Sequence, residues 1–142
     1  MNKIRKLILL GGAGTSSDVL ALINSINKIT PSYEILGILD DNLPVGTCRY
    51  GALTLGPIAK WTSYNNISFI DCLGSSKSYR KREKLLHDHG LNKIQFETLV
   101  HPSAMIADDV NIGSGCIVYP NVVALSNVSI GKHVTILSGT VL

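Results

Sequence analysis

The part of the sequence that decides the fold is residues 100–142, which divide into hexads as VHPSAM IADDVN IGSGCI VYPNVV ALSNVS IGKHVT ILSGTV L. An apolar residue opens every hexad, and a small or β-branched residue occupies the fifth position of every complete one. The opening residues are Val100, Ile106, Ile112, Val118, Ala124, Ile130, Ile136 and Leu142. The fifth residues are Ala104, Val110, Cys116, Val122, Val128, Val134 and Thr140. Neither an isolated strand nor a helix repeats every six residues, so the period predicts a parallel β-helix whose flat sides each turn one bulky residue inward.

Glycine follows the inward residue in two hexads, at Gly113 and Gly131. At such a position the chain turns a corner of the β-helix, where a side chain would crowd the neighbouring backbone. We therefore expect close backbone packing at both glycines.

The preceding residues, 1–99, show a different pattern, in which short apolar runs alternate with helical periodicity. Strands are predicted at 6–10, 33–39, 67–73 and 94–99, and helices at 17–30, 57–64 and 79–89. Strand and helix in alternation predict a parallel sheet with right-handed crossovers. The fold class is therefore α/β, with a sheet domain at 1–99 and a β-helix at 100–142.

The first predicted helix has one buried face, formed by Val19, Leu22, Ile23 and Ile26. We expect Ser16 or Ser17 to cap its free amide groups and Asp18 to lie in its first turn, where the helix dipole favours a carboxylate. Pro31 ends the helical region.

Three predicted strands end in residues suited to a nucleotide. Glycines between a strand and a helix let a phosphate approach the backbone, and carboxylates at a strand end accept hydrogen bonds from ribose hydroxyls or a base edge. Ligands of open parallel sheets bind at these carboxyl ends. The candidate residues are Gly12, Gly14, Asp40, Asp41, Gly74 and Ser75. Glycine turns and Asp-Asn pairs are also ordinary turn chemistry, so the pattern alone leaves both interpretations open.

Composition excludes several classes of protein. The chain has 142 residues, 45% of them apolar, and a net charge of +3, which describes a folded domain without the strong basic charge of a nucleic-acid-binding protein. Cys48, Cys72 and Cys116 are odd in number and widely spaced, so they predict reduced thiols rather than a disulfide frame or a metal site. The apolar run after the basic start is too short for a signal peptide, and a cytoplasmic location is expected. The basic residues of 77–84 are expected on a solvated helix face.

The first five residues of two hexads, 112–116 and 130–134, resemble the repeats of the hexapeptide-repeat acyltransferases. The whole chain resembles the sialic acid O-acetyltransferase and bacillosamine N-acetyltransferase branch, in which a Rossmann-like nucleotide-sugar domain precedes the β-helix. The resemblance rests on four segments, residues 12–15, 37–42, 73–75 and 101–104.

This resemblance implies a left-handed β-helix, acetyl-CoA as acyl donor, and a nucleotide-linked amino sugar or sialic acid as acceptor, in bacterial surface-glycan synthesis. It also implies a homotrimer. By the same resemblance Thr15, Ser16 and Arg80 join the substrate-binding candidates. The family's loop reads Gly-x-Gly-His-Gly-Lys, whereas residues 15–18 here are Thr-Ser-Ser-Asp, so Ser16 and Asp18 replace a histidine and a lysine.

The family's catalytic histidine lies in a motif resembling Ile-Asn-Thr-Gly-Ala-x-x-x-His-Asp, whose beginning matches residues 136–142. The register places that histidine beyond Leu142, so no catalytic residue is assigned and the chain is expected to be an inactive fragment with no acetyl-CoA bound. His87, His89, His101 and His133 are expected at the surface; His133 is the strongest alternative base.

Two other functions stay open. One is a non-catalytic module that binds or senses a nucleotide sugar. The other is a nicotinamide-dependent oxidoreductase, which is disfavoured because Ser17 stands where the third glycine of a dinucleotide motif belongs and because Asp40 comes 26 residues after Gly14 instead of about 20.

Overall fold

A computed structural model describes residues 3–74 and 79–142 of the chain. Its first part forms a five-stranded sheet in the order β3-β4-β2-β1-β5. The strands are β1 (Arg5–Leu10), β2 (Tyr33–Leu39), β3 (Cys48–Arg49), β4 (Ala52–Gly56) and β5 (Ser68–Asp71). All neighbouring strands are parallel except the β3–β4 hairpin.

Helices cover both faces of this sheet. Helix α1 (Gly14–Ile29) packs its predicted apolar face against Leu7 and Leu9 on one face. Helix α2 (Arg82–Asp88) lies on the opposite face, where its Leu86 packs in the cluster that contains Ile8 and Leu10. Short 3-10 helices are formed by Ile58–Ser63, Tyr79–Lys81 and Leu91–Lys93. Gly90, with φ +68°, ends the α2 region as predicted.

Comparison with the predicted elements shows both successes and errors. The strand at 33–39 is confirmed residue for residue, and those at 6–10 and 67–73 are confirmed with shifted ends. The prediction of a strand at 94–99 is wrong, because only Phe96 bridges to β5 and Leu99 belongs to the β-helix. The β3–β4 hairpin is not among the predicted elements.

Seven two-residue strands form the β-helix. They are β6 (Leu99–Val100), β7 (Met105–Ile106), β8 (Asn111–Ile112), β9 (Ile117–Val118), β10 (Val123–Ala124), β11 (Ser129–Ile130) and β12 (Thr135–Ile136). Each pairs in parallel with the strand 18 residues away, so three hexads make one coil and the three sides are β6-β9-β12, β7-β10 and β8-β11. The α/β fold class is confirmed; the left-handed winding stays a prediction.

The hexad register is confirmed by the interior of the β-helix. Its core contains inward residues from both predicted positions, among them Val118, Ile130, Cys116 and Val122. Of the two corner glycines, only Gly113 is crowded, since a Cβ there would lie 2.6 Å from the carbonyl of Gly131. A Cβ on Gly131 would have no atom within 4 Å, so the expectation of crowding is wrong there.

The sheet and the β-helix share one hydrophobic core. Leu99 and Ile117 point outward from the β-helix and are buried among residues of β1 and α1. The two parts therefore fold against each other. No helix in the described part of the chain is long and apolar enough to cross a membrane.

Candidate functional site

The carboxyl ends of β1, β2 and β5 lie next to one another at one edge of the sheet, which is called the crevice below because ligands of open parallel sheets bind there. Leu10 lies opposite both Leu39 and Asp71 in the parallel register, so the three strands end side by side, about 4.8 Å apart. The loops that follow these ends carry most of the candidate residues. The structure thus brings the predicted nucleotide-binding segments to one edge of the sheet.

The glycine turn after β1 is shaped by close contacts. Gly11 has φ +96° and a Cβ there would lie 2.8 Å from the Cys72 carbonyl oxygen; a Cβ on Gly12 would lie 2.5 Å from the Leu43 side chain. Gly14 differs, because a Cβ there would meet nothing within 4 Å. Gly14 is also the first residue of α1, whose leading amide groups have no intrahelical acceptor. An open, amide-rich position suits an anion.

Both acidic candidates hold neighbouring loops in place. Asp40 accepts hydrogen bonds from the amides of Gly12 and Asn42, each over 2.7 Å. Asp41 accepts a bond from the Ile58 amide over 2.8 Å and lies 3.4 Å from Nε2 of His89. The contact of either carboxylate with a ribose or base stays a prediction.

The start of α1 corrects three expectations. The N-cap residue is Ala13, and no side chain caps the helix, because Ser16 Oγ donates to the Ala13 carbonyl and Ser17 Oγ donates to the Gly14 carbonyl. Ser16 is fully buried, so its hydroxyl stabilises the turn and does not line the crevice. Asp18 is the fifth helical residue and thus lies beyond the first turn.

A positively charged side chain of the β3–β4 hairpin, which the sequence did not predict, contacts the glycine turn. Arg49 on β3 donates from Nε to the Gly12 carbonyl at 3.5 Å, and its guanidinium lies over the Tyr50 ring. Thr15, the second residue of α1, is half-buried beside the same turn. No sequence pattern points to Arg49, since residues 49 and 12 are brought together only by the order of the strands.

The end of β5 holds a cluster that links the sheet to the β-helix. Asp71 Oδ2 accepts a hydrogen bond from Nδ1 of His133 over 2.9 Å, and Asp71 Oδ1 accepts one from the Leu73 amide over 3.0 Å. Arg82 Nε lies 3.7 Å from the same carboxylate and donates to the Leu73 carbonyl, while its terminal nitrogen donates to the His133 carbonyl. His133 points outward from the β-helix, as expected, but it is half-buried against the sheet domain instead of fully exposed.

The remaining candidates around this cluster differ in position. A Cβ on Gly74 would lie 3.5 Å from Arg82 Nε, so this glycine borders the cluster. Arg80 is exposed, and its Nε donates to the Tyr79 hydroxyl over 3.1 Å. Arg80, Arg82 and His133 line one cavity of about 640 Å³. Ser75 lies outside the described residues.

His101 is also buried, which corrects the expectation of a surface position. Its Nδ1 accepts a hydrogen bond from the Ser103 amide over 3.1 Å, so Nε2 carries the proton and donates to Ser25 Oγ on α1 over 3.0 Å. This histidine joins the first hexad to the sheet. His87 is exposed as expected, whereas His89 is half-buried.

Two of the cysteines are poor nucleophiles. Burial raises the pKa of Cys72 far above its ordinary value, and burial also raises the pKa of Cys116, whose Sγ donates to the Gly131 carbonyl over 2.9 Å. Both thiols therefore stay protonated and inside the fold. Among residues 3–74 and 79–142, no group of His, Cys, Asp and Glu side chains is arranged to hold a metal ion.

Comparison with known proteins finds similarity at the level of structure. No family model and no curated protein matches the chain. The acetyltransferase domain of PglB from Neisseria gonorrhoeae, solved with acetyl coenzyme A, superposes with a TM-score of 0.78 at 20% identity over 99% of this chain. PerB from Caulobacter crescentus, solved with CoA and GDP-perosamine, superposes with a TM-score of 0.76 at 20% identity over 100% of it.

A point mutant of the perosamine N-acetyltransferase from Caulobacter crescentus, also solved with CoA and GDP-perosamine, gives a TM-score of 0.75 at 20% identity. The chain spans 65% of the PglB structure and 64% of the two Caulobacter structures. At this identity the similarity establishes a shared fold: a parallel sheet domain followed by a β-helix.

Proposed function

We propose that the protein is a sugar acetyltransferase that moves an acetyl group from acetyl-CoA to an amino group of a nucleotide-linked sugar. The observation that carries the proposal is that the ends of three parallel strands, with the candidate residues that follow them, lie beside a β-helix. Acetyltransferase structures share this fold over nearly the whole chain. In this proposal residues 1–99 bind the acceptor and residues 100–142 begin the β-helix.

The acceptor's diphosphate would bind at the glycine turn. The first amides of α1, a helix of 16 residues, carry the positive end of the helix dipole, and Gly14 leaves room for an oxygen to approach them. Arg49 adds a full positive charge on the hairpin side. This guanidinium would compensate for the absence of a lysine at position 18.

The nucleoside would lie toward the end of β2, where Asp40 holds the Gly12 amide in place. The sugar would lie toward the end of β5, near Gly74 and Arg80. Order along the strand ends, β2 then β1 then β5, supports this direction, because it places the phosphates in the middle. Thr15 would border the phosphates.

The PerB structures that bind GDP-perosamine favour an amine as the acceptor over the hydroxyl of a sialic acid. Acetyl-CoA as donor is supported by the acetyl coenzyme A and CoA in the similar structures. The protein's own residues would hold and orient the acceptor, while the thioester would supply the activated acetyl group. A homotrimer and a cytoplasmic location complete the proposal.

Binding of nucleotide sugars is the first test. Calorimetric titrations of the chain with GDP- and UDP-linked amino sugars, CMP-sialic acid, acetyl-CoA and NADH should detect binding of an amino-sugar nucleotide. Thiol release from acetyl-CoA in its presence should then report transfer. Thiol release would exclude the non-catalytic module, whereas binding without thiol release agrees both with that module and with the inactive fragment that the sequence predicts. Binding of NADH alone would favour an oxidoreductase.

Gly14→Ala tests the location of the diphosphate. The added methyl group meets no atom of the protein, so the fold should persist, but it would occupy the space where a phosphate approaches the backbone. We expect affinity for the nucleotide sugar to fall at least about tenfold, or about 1.4 kcal/mol. Gly131→Ala is the matched control, since its methyl group is equally free of contacts and lies in the β-helix. Equal affinities in the two variants would place the diphosphate elsewhere.

A further inference from the structure

The cavity between α2 and the β-helix is lined mainly by basic side chains. Its volume of about 640 Å³ lies within the range of sites that bind small ligands. Arg80, Arg82 and Lys132 bring three full positive charges to its wall, whereas Glu83 is the only carboxylate among the lining residues that the structure describes. Both regions of the molecule contribute, since Lys132 belongs to the β-helix and the arginines to the segment that begins α2.

The charge of Arg82 is already balanced within the fold. Its Nε lies 3.7 Å from Oδ2 of Asp71, a carboxylate whose side chain is only 1% exposed. The guanidinium also donates to the carbonyl groups of Leu73 and His133. A buried carboxylate needs such a partner, so Arg82 is a fixed part of the wall. The charge that a ligand meets is therefore set by the other lining residues.

Arg80 and Lys132 face a single opposing charge. Both are exposed, and neither forms an ion pair with an acidic residue in the part of the chain that the structure describes. Arg80 donates from Nε to the Tyr79 hydroxyl over 3.1 Å, and its two terminal nitrogens have no acceptor among the described residues. The carboxylate of Glu83 offsets one of the two charges. The cavity thus keeps an excess of one positive charge.

The cavity adjoins the place proposed for the sugar of the acceptor. A Cβ on Gly11 would lie 2.8 Å from the Cys72 carbonyl oxygen, and a Cβ on Gly74 would lie 3.5 Å from Arg82 Nε. The glycine turn and the cavity wall therefore contact the same short segment, residues 72–74, from its two ends. A nucleotide sugar whose diphosphate lies at the glycine turn extends along this segment and places its sugar in the cavity.

We propose that the acceptor is the nucleotide derivative of an amino sugar acid, whose carboxylate binds to Arg80 and Lys132 in this cavity. The proposal rests on the proposed acetyltransferase function and narrows its substrate class. A neutral sugar would leave the excess positive charge unbalanced, whereas one carboxylate balances it. The two terminal nitrogens of Arg80 form the fork that binds a carboxylate through two parallel hydrogen bonds.

A matched pair of ligands isolates the carboxylate. UDP-glucuronic acid and UDP-glucose differ only at C6 of the sugar, which is a carboxylate in the first and a hydroxymethyl group in the second. GDP-mannuronic acid and GDP-mannose give the same comparison with the other base. A phosphate offers similar anionic oxygens, so UDP and GDP alone report whether the diphosphate occupies the cavity instead. Free glucuronic acid reports binding of a sugar acid that carries no nucleotide.

Four variants of the whole chain test the position of the carboxylate. Arg80→Gln and Lys132→Gln each remove one cation from the wall, and Glu83→Gln removes the opposing charge while keeping the shape of the side chain. Lys81→Gln is the matched control for Arg80→Gln, because both residues are exposed in the same short helix, Tyr79–Lys81, and only Arg80 lines the cavity. All four residues are exposed, so the fold should persist in every variant.

The readout is affinity by calorimetric titration at low ionic strength, where exposed charges are least screened. The unaltered chain should bind one of the acidic sugar nucleotides about tenfold more tightly than its neutral counterpart. Arg80→Gln should lower affinity for the acidic ligand about tenfold and affinity for the neutral one less than about twofold. Lys132→Gln should lower affinity for the acidic ligand about threefold and Glu83→Gln should raise it about threefold, whereas Lys81→Gln should change it less than about twofold.

Contrary results separate this proposal from the proposed function. Equal affinity for acidic and neutral sugar nucleotides, or equal effects of Arg80→Gln and Lys81→Gln, would overturn the sugar acid and leave the acetyltransferase proposal intact. If Arg80→Gln weakens UDP or GDP as much as the acidic sugar nucleotide, the diphosphate occupies the cavity and the carboxylate does not. Free glucuronic acid that binds as tightly as UDP-glucuronic acid would exclude a nucleotide-linked acceptor. If no sugar nucleotide binds, the proposed acceptor crevice is wrong, and this proposal fails with it.

Discussion

The β-helix and the sheet domain reach their registers in different ways. Every strand pair of the β-helix joins residues 18 apart, so one short pattern repeated along the chain specifies all of them. In the sheet, β1 lies between β2 and β5, whose paired residues are 28 or 29 and 61 positions away from it. A repeat therefore encodes its own pairing locally, whereas strand order in the sheet depends on how whole elements pack.

The two regions meet at β9, whose two residues serve different cores. Val118 points into the β-helix and Ile117 points out of it, into the cluster formed by β1 and α1. Alternation along a strand makes this division possible. The strand is consequently the place where the independence of the two regions can be tested.

The largest loss of stability is expected from Ile117→Ala. Ile117 is 1% exposed, so the substitution should leave a cavity between sheet and β-helix and lower the free energy of unfolding by about 2–5 kcal/mol. Thr135→Ala, at the exposed position that pairs with Ile117, should change it by about 0.5 kcal/mol or less. Chemical denaturation followed by circular dichroism measures both. A single cooperative transition is expected, and separate transitions for the two regions would show that they fold independently.

A smaller effect is expected within the β-helix alone, from Gly113→Ala. The new methyl group would lie 2.6 Å from the Gly131 backbone in the next coil. Because this contact forces the coils apart, the free energy of unfolding should fall by about 1–3 kcal/mol. Gly131→Ala meets nothing and should be nearly neutral. Thermal unfolding of the two variants compares them directly. Equal stability would mean that the coils are spaced more widely at this corner than the structure shows.

The third prediction concerns the polar contact between α1 and the first hexad. Ser25→Ala removes the acceptor of the buried His101 Nε2–H. The free energy of unfolding should therefore fall by about 1–3 kcal/mol. Ser17→Ala on the same helix removes only a local bond to the Gly14 carbonyl and should be neutral or slightly stabilising. Urea denaturation of both variants is the measurement, and similar costs would argue against a sheet-to-hexad link through His101.

What the sequence predicts well is what neighbouring residues determine. The inward hexad positions, β2 and the apolar face of α1 follow from periodicity, because each residue's environment repeats at a fixed spacing. The β3–β4 hairpin cannot be recognised in this way, since β3 has only two residues and β4 has five, too few to show a clear alternation. Residues 94–99 have strand-like composition, yet only Phe96 bridges to the sheet, and Leu99 pairs within the β-helix instead.

The residues of the candidate site differ in the same way. The glycine turn and the acidic residues after β2 can be predicted because each lies at the end of a predicted strand. The pairing of Asp71 with His133 cannot be predicted, because 62 residues separate them and only the docking of the β-helix on the sheet brings them together. The assignment of Ser16 to the crevice fails because the sequence does not show whether a hydroxyl faces a ligand or turns back to a carbonyl group.

The smallest expected effect is a change in the pKa of Tyr119, which follows β9 and packs against the sheet core. Burial, and secondarily the negative charge of Asp18, raise the pKa of Tyr119 to about 12 from the ordinary value of 10. Because the unfolded state loses this proton first, the stabilising contribution is complete below pH 10 and is lost as the pH rises from 10 to about 12.

Asp18→Asn should therefore lower the pKa of Tyr119 while leaving it above 10, since burial is the larger cause. Tyrosinate absorbance as a function of pH follows the titration, and Tyr119→Phe identifies the step that belongs to this residue. A pKa that drops fully to 10 in Asp18→Asn would mean that charge, and not burial between the two regions, controls Tyr119. An unchanged pKa would mean that the start of α1 lies farther from the β-helix, which would also weaken the case for a single crevice shared by the two regions.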